Sequence, residues 1–151
     1  MEGKYSYRNL ILWQKAQELT LEIVRLAGVL PNDRVAPILS RQIVRSASSI
    51  AANIAEGHGR FTYAAHRNHL SIAKGSACET DGWLDLLRRS GYVDADAEGR
   101  LHSVCEELIR MLTAKIIDLE KREKSAKKVR DEHAEYIAEP FEAPLEERDR
   151  L

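Results

Sequence analysis

Residues 41–60 read RQIVRSASSIAANIAEGHGR, and the order of apolar and small residues in this stretch predicts the fold. An apolar row recurs at steps of four, three and four, which is the spacing of a seam in a left-handed helix bundle. It consists of Ile43, Ala47, Ile50 and Ile54. Small residues flank the seam, so a neighbouring helix can approach closely: Ser46, Ser48, Ala51, Ala52 and Ala55. We therefore predict that this stretch is a central helix of a bundle.

A second row along the same helix is polar. Its members lie three or four residues apart and therefore share one face. They are Gln42, Arg45, Ser49, Asn53 and Glu56. Such a row is either a solvated or interface face held by local pairs or a functional surface, and the sequence leaves both interpretations open. Gly57 is expected to end the helix, because glycine can take the left-handed conformation that closes a helix C-terminus.

Several pieces of the chain resemble the bacterial four-helix bundle proteins named after the 23S ribosomal RNA intervening sequence. The pieces are QIVRSASSI at 42–50, NIAEG at 53–57 with Arg60, LILWQKA at 10–16, LSIAKGS at 70–76 with Glu79, and GYV at 91–93. They occur in the family's order and extend over about residues 7–122. The resemblance implies the family's fold and says little about activity.

The same resemblance implies a quaternary structure. Proteins similar to this one are homopentamers, barrels with a central channel. The accessory variability determinant of diversity-generating retroelements looks like a relative that binds RNA and a reverse transcriptase. The polar row, with Glu79, is therefore expected to face a neighbouring subunit or the channel. That relative is markedly basic, whereas this chain has a net charge of −1.

Length and composition suit one helix-rich domain. The chain has 151 residues, of which 44% are hydrophobic and 31% charged. No apolar run approaches the roughly 20 residues that span a bilayer, and the first residues lack the apolar core of a signal peptide. We expect a cytoplasmic protein that contacts no membrane. Cys78 and Cys105 are expected to be buried thiols on different helices, with a disulfide as the alternative.

Periodicity predicts an all-α protein, an antiparallel up-down-up-down four-helix bundle with a C-terminal extension. The helices are expected at about residues 9–29, 34–56, 63–90 and 95–124, with Asn9 and Thr62 as N-caps and Asn32-Asp33 capping the second helix. Pro37 places the regular start of the second helix within a residue or two of itself. Glycine in mid-helix at Gly75 suggests close contact there, and the stretch Gly75-Ser76-Ala77 is expected to face the small residues of helix two.

The charges divide the chain into two regions. Residues 1–125, the predicted bundle, hold 18 Lys and Arg against 16 Asp and Glu, whereas residues 126–151 hold 5 against 8. The second region is a charged C-terminal extension that is predicted to be partly helical, as far as about Ile137, or disordered. Its apolar residues either dock on another subunit or stay free.

Catalytic and metal-binding patterns are weak in this sequence. His66 and His69 are spaced to share a metal but lack further ligands at matching spacing, and no Glu-x-x-His tetrapeptide of the di-iron bundles occurs. No phosphate-binding glycine loop or nucleophile elbow is present. We predict a protein that is not an enzyme and needs no cofactor or metal.

The best candidate surface is cationic. Five basic residues are predicted to form one strip, here called the cationic strip: Arg41, Arg45, Arg60, Arg67 and Lys74. Phosphate oxygens suit such side chains, and Phe61 and Tyr63 nearby could stack on unpaired bases. The first hypothesis is a ring-forming adaptor that binds RNA or a ribonucleoprotein. The alternative is a protein-protein interaction scaffold without nucleic acid, possibly an accessory subunit of a reverse-transcriptase system, in which the arginines hold subunits together.

Overall fold

The computed structural model of the protein describes residues 6–138, and this part of the chain is helical nearly throughout. A short 3₁₀ turn, Tyr7–Asn9, precedes four helices: α1 (Ile11–Val29), α2 (Ala36–His58), α3 (Tyr63–Arg89) and α4 (Ala95–Ala138). No strand occurs between residues 6 and 138. The predicted all-α class and the four helices are confirmed.

Side-chain caps fix three of the helix starts. The Asp33 carboxylate accepts hydrogen bonds from the backbone N–H groups of Val35 and Ala36 at 2.8 and 2.7 Å. The Thr62 hydroxyl accepts from the N–H of Ala65 at 3.2 Å, and Asp94 caps α4 in the same way. Each cap satisfies N–H groups that lack a partner in the first turn of a helix. The caps predicted at Asp33 and Thr62 are confirmed.

Two predicted helix ends are wrong. Asn9 does not cap α1, because it lies in the 3₁₀ turn, which is capped by the Ser6 hydroxyl. Gly57 does not end α2, since the helix continues to His58 and Gly59 follows with φ −80°. The glycine with positive φ in the described chain is Gly91, at +78°, where α3 turns towards α4. Pro37 lies in the first turn of α2, as predicted.

Neighbouring helices run in opposite directions. Contacts between α2 and α3 join Ser46 to Thr80, Ser49 to Ser76 and Asn53 to His69, and those between α3 and α4 join Arg67 to Glu123 and Asp81 to His102. The first turn of α1 lies beside the end of α2, and the Thr20 hydroxyl donates to the carbonyl of Ala47 at 3.0 Å. These contacts fit the antiparallel up-down-up-down order.

The core follows the apolar seams of the four helices. The seam of α2 is fully buried, with Ile43, Ala47 and Ile50 at 0% exposure. The other helices contribute mainly Ala16, Leu19, Ile23, Leu70, Ala73, Ala77, Leu84, Leu87, Leu101, Cys105, Leu108 and Leu112. The small residues Ser46, Ala47 and Ala51 of α2 are buried, as close approach requires, and so are Ser76 and Ala77 of α3. Ser76 contacts Ser49 of α2, so the predicted contact of the stretch Gly75-Ser76-Ala77 with helix two is confirmed, although Gly75 itself is exposed.

α4 is longer than the bundle that it helps to form. It has 44 residues, about 66 Å at the rise of an α-helix, whereas α2 has 23. The last residue of α4 that is described as buried is Leu119, and residues 121–131 are exposed except for Glu123. The helix passes through residue 125 without a break and ends at Ala138, past the end expected near 124 and close to the alternative end at about Ile137. The division at 125 stays a prediction, and residues 139–151 lie outside the described part.

Between residues 6 and 138, no helix is both long enough and apolar enough to cross a membrane.

Candidate nucleic-acid interface

The polar row of α2 packs against α3 within the same chain. The Ser76 hydroxyl donates to the Ser49 hydroxyl at 3.0 Å, and the Thr80 hydroxyl donates to Ser46 at 2.9 Å. Ser46, Ser76 and Thr80 are at most 8% exposed. Small hydroxyl side chains let two helices approach while their polar atoms remain hydrogen-bonded, which burial demands. The sequence analysis treated Ser46 and Ser76 only as small residues and overlooked Thr80. The signal in the sequence is that Thr80 follows Ser76 by four residues and therefore lies on the same face of α3.

His69 joins the other end of the row to the turn after α2. Arg60 Nε donates to His69 Nε2 at 3.0 Å, and an arginine has only donors, so this ring nitrogen is the acceptor. The proton of the neutral ring then lies on Nδ1, which is 3.3 Å from Asn53 Oδ1 and 3.5 Å from Glu56 Oε2. Asn53 also donates to the Ser49 carbonyl at 2.9 Å. The network connects the row to His69 of α3.

The remaining residues of the predicted subunit interface also lie on the bundle, and most of them make contacts within the chain. Arg45 reaches across to Glu79 of α3, with 2.7 Å between Nη2 and Oε1, and Trp83 Nε1 donates to the same carboxylate oxygen at 3.3 Å. Gln42 is half-buried on α2. Intramolecular contacts thus account for Ser49, Asn53, Glu56 and Glu79. Their role at a subunit interface or channel stays a prediction.

The structure divides the cationic strip into two parts. Arg45 and Arg60 lie on the side of the bundle where α2 meets α3, beside Glu79 and His69. Arg67 instead pairs with Glu123 of α4, and Lys74 follows it at a seven-residue step on the same side of α3. Arg41 is exposed on α2, next to Val44 in a shallow groove. The five cations therefore do not form a single continuous surface.

Carboxylates offset three of these five cations. Arg45 pairs with Glu79, Arg67 with Glu123, and Arg60 Nη2 lies 3.8 Å from Glu56 Oε2. All three pairs are partly exposed, so each contributes little to stability, but a phosphate must compete with a carboxylate at each position. Arg41 and Lys74 have no carboxylate within ion-pair distance in the described chain.

The structure brings together a further group that sequence reasoning did not assemble. Phe61 is fully exposed in the turn before α3, and Tyr63 opens α3. Tyr63 lines a groove of about 340 Å³ with Lys127 and Arg130 of α4. We call Arg60, Phe61, Tyr63, Lys127 and Arg130 the turn-end surface. The sequence contains a signal for this group: Glu123, Lys127 and Arg130 continue the helical spacing of helix four past its predicted end near residue 124.

Cys78 and Cys105 are free thiols, and their environments differ. Cys105 is buried in the core, and this burial, with the nearby Asp81 carboxylate second, raises the pKa of its thiol to about 12. Cys78 is exposed on α3, so its predicted burial is wrong. One turn further along α3, Asp81 Oδ1 lies 2.6 Å from His102 Nδ1, and this hydrogen bond raises the pKa of His102.

His66 and His69 point to different surroundings. His69 contacts Arg60 and Asn53, whereas His66 lines a cleft with residues of α1 and α4. Desolvation, followed by the charges of Lys115, His58 and His69, lowers the pKa of His66. Among the described residues, no three His, Cys, Asp or Glu side chains are grouped so as to hold a metal ion.

The fold and these surfaces define a four-helix bundle whose conspicuous surface groups are cationic and aromatic. The family model described as 23S rRNA-intervening sequence protein matches residues 8–114, and the chain belongs to this family. The chain is similar to a solved structure from Bacteroides thetaiotaomicron, a protein of unknown function from the S23 ribosomal protein family. That similarity has 33% identity and a TM-score of 0.67, and it covers 70% of this chain and 98% of the other. No curated protein matches the chain.

Proposed function

We propose that this protein is a non-enzymatic adaptor that forms a homo-oligomeric ring in the cytoplasm and binds RNA or a ribonucleoprotein. The observation that carries the proposal is the turn-end surface, where Tyr63 shares a groove with Lys127 and Arg130, side chains that suit phosphate, and where Phe61 of the adjoining turn is fully exposed. Phe61 and Tyr63 can stack on unpaired bases, while Lys127 and Arg130 can contact the backbone of the same strand. This combination favours single-stranded RNA over a duplex, whose bases are already stacked.

α4 contributes the cationic half of this surface. From Lys121 to Asp131 it holds six Lys and Arg against two Asp and Glu, although the whole chain carries a net charge of −1. A local basic surface of this kind attracts phosphate even in a protein near neutrality. Arg60 and Arg67 extend it towards α3, each with a carboxylate that must be displaced or shared.

The ring part of the proposal rests on the family. A pentamer is the arrangement expected from the resemblance, and in a ring each subunit presents two different patches to its neighbours. Exposed apolar side chains suit such patches: Leu21 and Val24 of α1 and Ile38 of α2 are each about half exposed. Several turn-end surfaces would then lie on one ring, and linked sites strengthen binding to one RNA.

RNA binding is tested by fluorescence anisotropy with a labelled single strand of about 20 nucleotides, titrated at several salt concentrations. Two double variants remove the two halves of the surface: Phe61→Ala with Tyr63→Ala, and Lys127→Glu with Arg130→Glu. We expect the first to weaken binding by about 1–3 kcal/mol for each base that loses its stack. We expect the second to reduce the slope of log affinity against log salt by about 1–2.

A matched control lies at the opposite end of the bundle. Arg88→Glu with Arg100→Glu changes the net charge by the same amount as Lys127→Glu with Arg130→Glu, on the exposed end of α3 and start of α4. This control should bind RNA almost as tightly as the wild type, apart from a small loss of affinity caused by the changed net charge. Equal weakening in both charge variants, or no RNA binding by the wild type, would refute the proposed site. Light scattering of the same samples gives the number of chains in the assembly.

The alternative function is a protein-protein interaction scaffold without nucleic acid, possibly an accessory subunit of a reverse-transcriptase system. The ion pairs of Arg45, Arg60 and Arg67 favour it, because arginines already paired with carboxylates are less available to phosphate. A stable ring that neither retains nor binds RNA would support this alternative.

A further inference from the structure

An apolar cleft lies at one end of the bundle, where all four helices contribute side chains. Its walls include Leu12 of α1, Leu70 of α3 and Met111 of α4, and its volume is about 520 Å³. Clefts of about 300–1,000 Å³ with mostly apolar walls and a few polar groups are typical of small-molecule sites, and in bundles they lie between helices. This cleft is separate from the turn-end surface and shares no residue with it.

The polar side chains of the cleft carry amine, imidazole or amide groups. His58, His66 and Lys115 line it together with the amide side chain of Asn9, and none of its described lining residues is acidic. Lys115 Nζ lies 3.2 Å from Asp118 Oδ2, an exposed contact within α4 that occupies one of its three N–H donors. Lys115 therefore keeps donors for a ligand. His66 lines the same cleft as Lys115 and His58, and desolvation, followed by the charges of Lys115 and His58, lowers the pKa of its ring.

We infer that this cleft binds a small amphipathic anion, such as a medium-chain carboxylate, with its apolar chain among Leu12, Leu70 and Met111 and its charged group at Lys115. Apolar walls favour the burial of a hydrocarbon chain, because burial removes its surface from water. Lys115 already pairs with Asp118, and its remaining N–H donors select an anion over a neutral ligand. The inference does not depend on the proposed function in RNA binding.

The inference is tested with octanoate and with 1-octanol, its neutral counterpart, by methyl NMR of the full chain. Octanoate should shift the methyl resonances of Leu12, Leu70 and Met111 in a saturable manner with one site per chain. Lys115→Met should weaken octanoate binding about threefold to tenfold while leaving octanol binding unchanged. Met111→Trp, which fills the cleft, should weaken both ligands.

The control is Lys121→Met, which removes the same charge from an exposed position further along α4. It should bind both ligands as the wild type does. Circular dichroism confirms that each variant is folded, and Lys115→Met alone decides the question if Met111→Trp unfolds the bundle. Absence of saturable shifts, equal effects of Lys115→Met on both ligands, or shifts confined to the exposed Leu21 and Val24 of α1 would overturn the inference.

Discussion

The Thr80 hydroxyl donates a 2.9 Å hydrogen bond to the Ser46 hydroxyl, and both groups are buried between α2 and α3. Ser46 in turn donates to the carbonyl of Ile43 at 3.1 Å, and Thr80 is also 2.8 Å from the carbonyl of Ser76. The pair therefore joins the two helices at a point where large side chains would keep them apart. Stability should depend on the size of Ser46 more than on the hydroxyl of Thr80.

Thr80→Val removes one hydrogen bond with little change in volume, and we expect it to lower the free energy of unfolding by about 1 kcal/mol. Ser46→Leu inserts a large side chain into the contact and should lower it by about 1–3 kcal/mol or prevent folding. Urea unfolding followed by circular dichroism measures both. Ser103→Ala, on the exposed side of α4, is the control and should change little. A Ser46→Leu variant as stable as the wild type would contradict the close approach.

Gly57→Ala should destabilise the protein although alanine favours helices. A Cβ at Gly57 would lie 3.0 Å from His66 Cδ2, 3.1 Å from His69 Cβ and 3.3 Å from the backbone oxygen of His66. The backbone cannot move aside as freely as a side chain, so we expect a loss of about 1–2 kcal/mol in thermal or urea unfolding.

The control for Gly57 is Gly75→Ala, in the exposed middle of α3, where an added Cβ would meet no atom within 4 Å. This substitution should stabilise the protein by about 0.5–1 kcal/mol, since alanine has the higher helix propensity. We therefore expect the two substitutions to change the free energy of unfolding in opposite directions. Stabilisation by both would show that α2 and α3 are further apart at Gly57 than described.

The Asp81–His102 contact should make stability depend on pH. The hydrogen bond to Asp81 raises the pKa of His102 above its ordinary value, so the folded state holds the proton more tightly than the unfolded chain. This stabilisation is complete below the unfolded pKa and is lost as pH rises through the folded pKa. The difference in unfolding free energy between wild type and His102→Gln should therefore be larger at about pH 5.5 than at about pH 8.5.

The stabilisation by His102 should be about a few tenths of a kcal/mol. The reason is that its side chain is 43% exposed, so solvent screens the interaction with Asp81. His133→Gln makes the same substitution on the exposed part of α4 and is the matched control against which the pH dependence of His102→Gln is measured. A larger effect of His102→Gln at the higher pH would contradict the assigned contact.

The two cysteines should differ sharply in reactivity. Thiol reagents attack the thiolate, and Cys105 is both inaccessible and held at a pKa of about 12, whereas Cys78 is exposed. We expect one thiol per chain to react with a disulfide reagent in the native protein, and Cys78→Ser to abolish that reaction. Cys105 should react only after unfolding. Rapid labelling of both thiols in native protein would contradict the packing of α4.

The local elements of this protein could be predicted from the sequence. Apolar seams at steps of three and four define which face of each helix is buried, and short polar residues at Asp33 and Thr62 define where helices begin. These signals are local, because an amphipathic face and a cap depend on residues within one or two turns. The family signature likewise lies within short pieces of the chain.

The arrangement across helices was decided by the tertiary structure. Seven-residue spacing puts Arg67 and Lys74 on one face of α3, but only the rotation of α3 in the bundle turns Arg67 towards Glu123 of α4. Arg45 of α2 instead reaches Glu79 of α3, and Arg60 contacts His69 of α3. The continuation of α4 past Leu119 likewise brings Lys127 and Arg130 to Tyr63.

The sequence by itself determined four helices, their buried faces and the family, since these depend on periodicity and short motifs. The tertiary structure alone decided that Gly57 meets His66, that Cys78 is exposed while Cys105 is buried, and that Lys127 and Arg130 of α4 lie beside Tyr63 at the start of α3. The physical reason is that helix periodicity gives the direction of a side chain relative to its own axis. Contact between helices depends on how far each one is rotated and shifted against its neighbours.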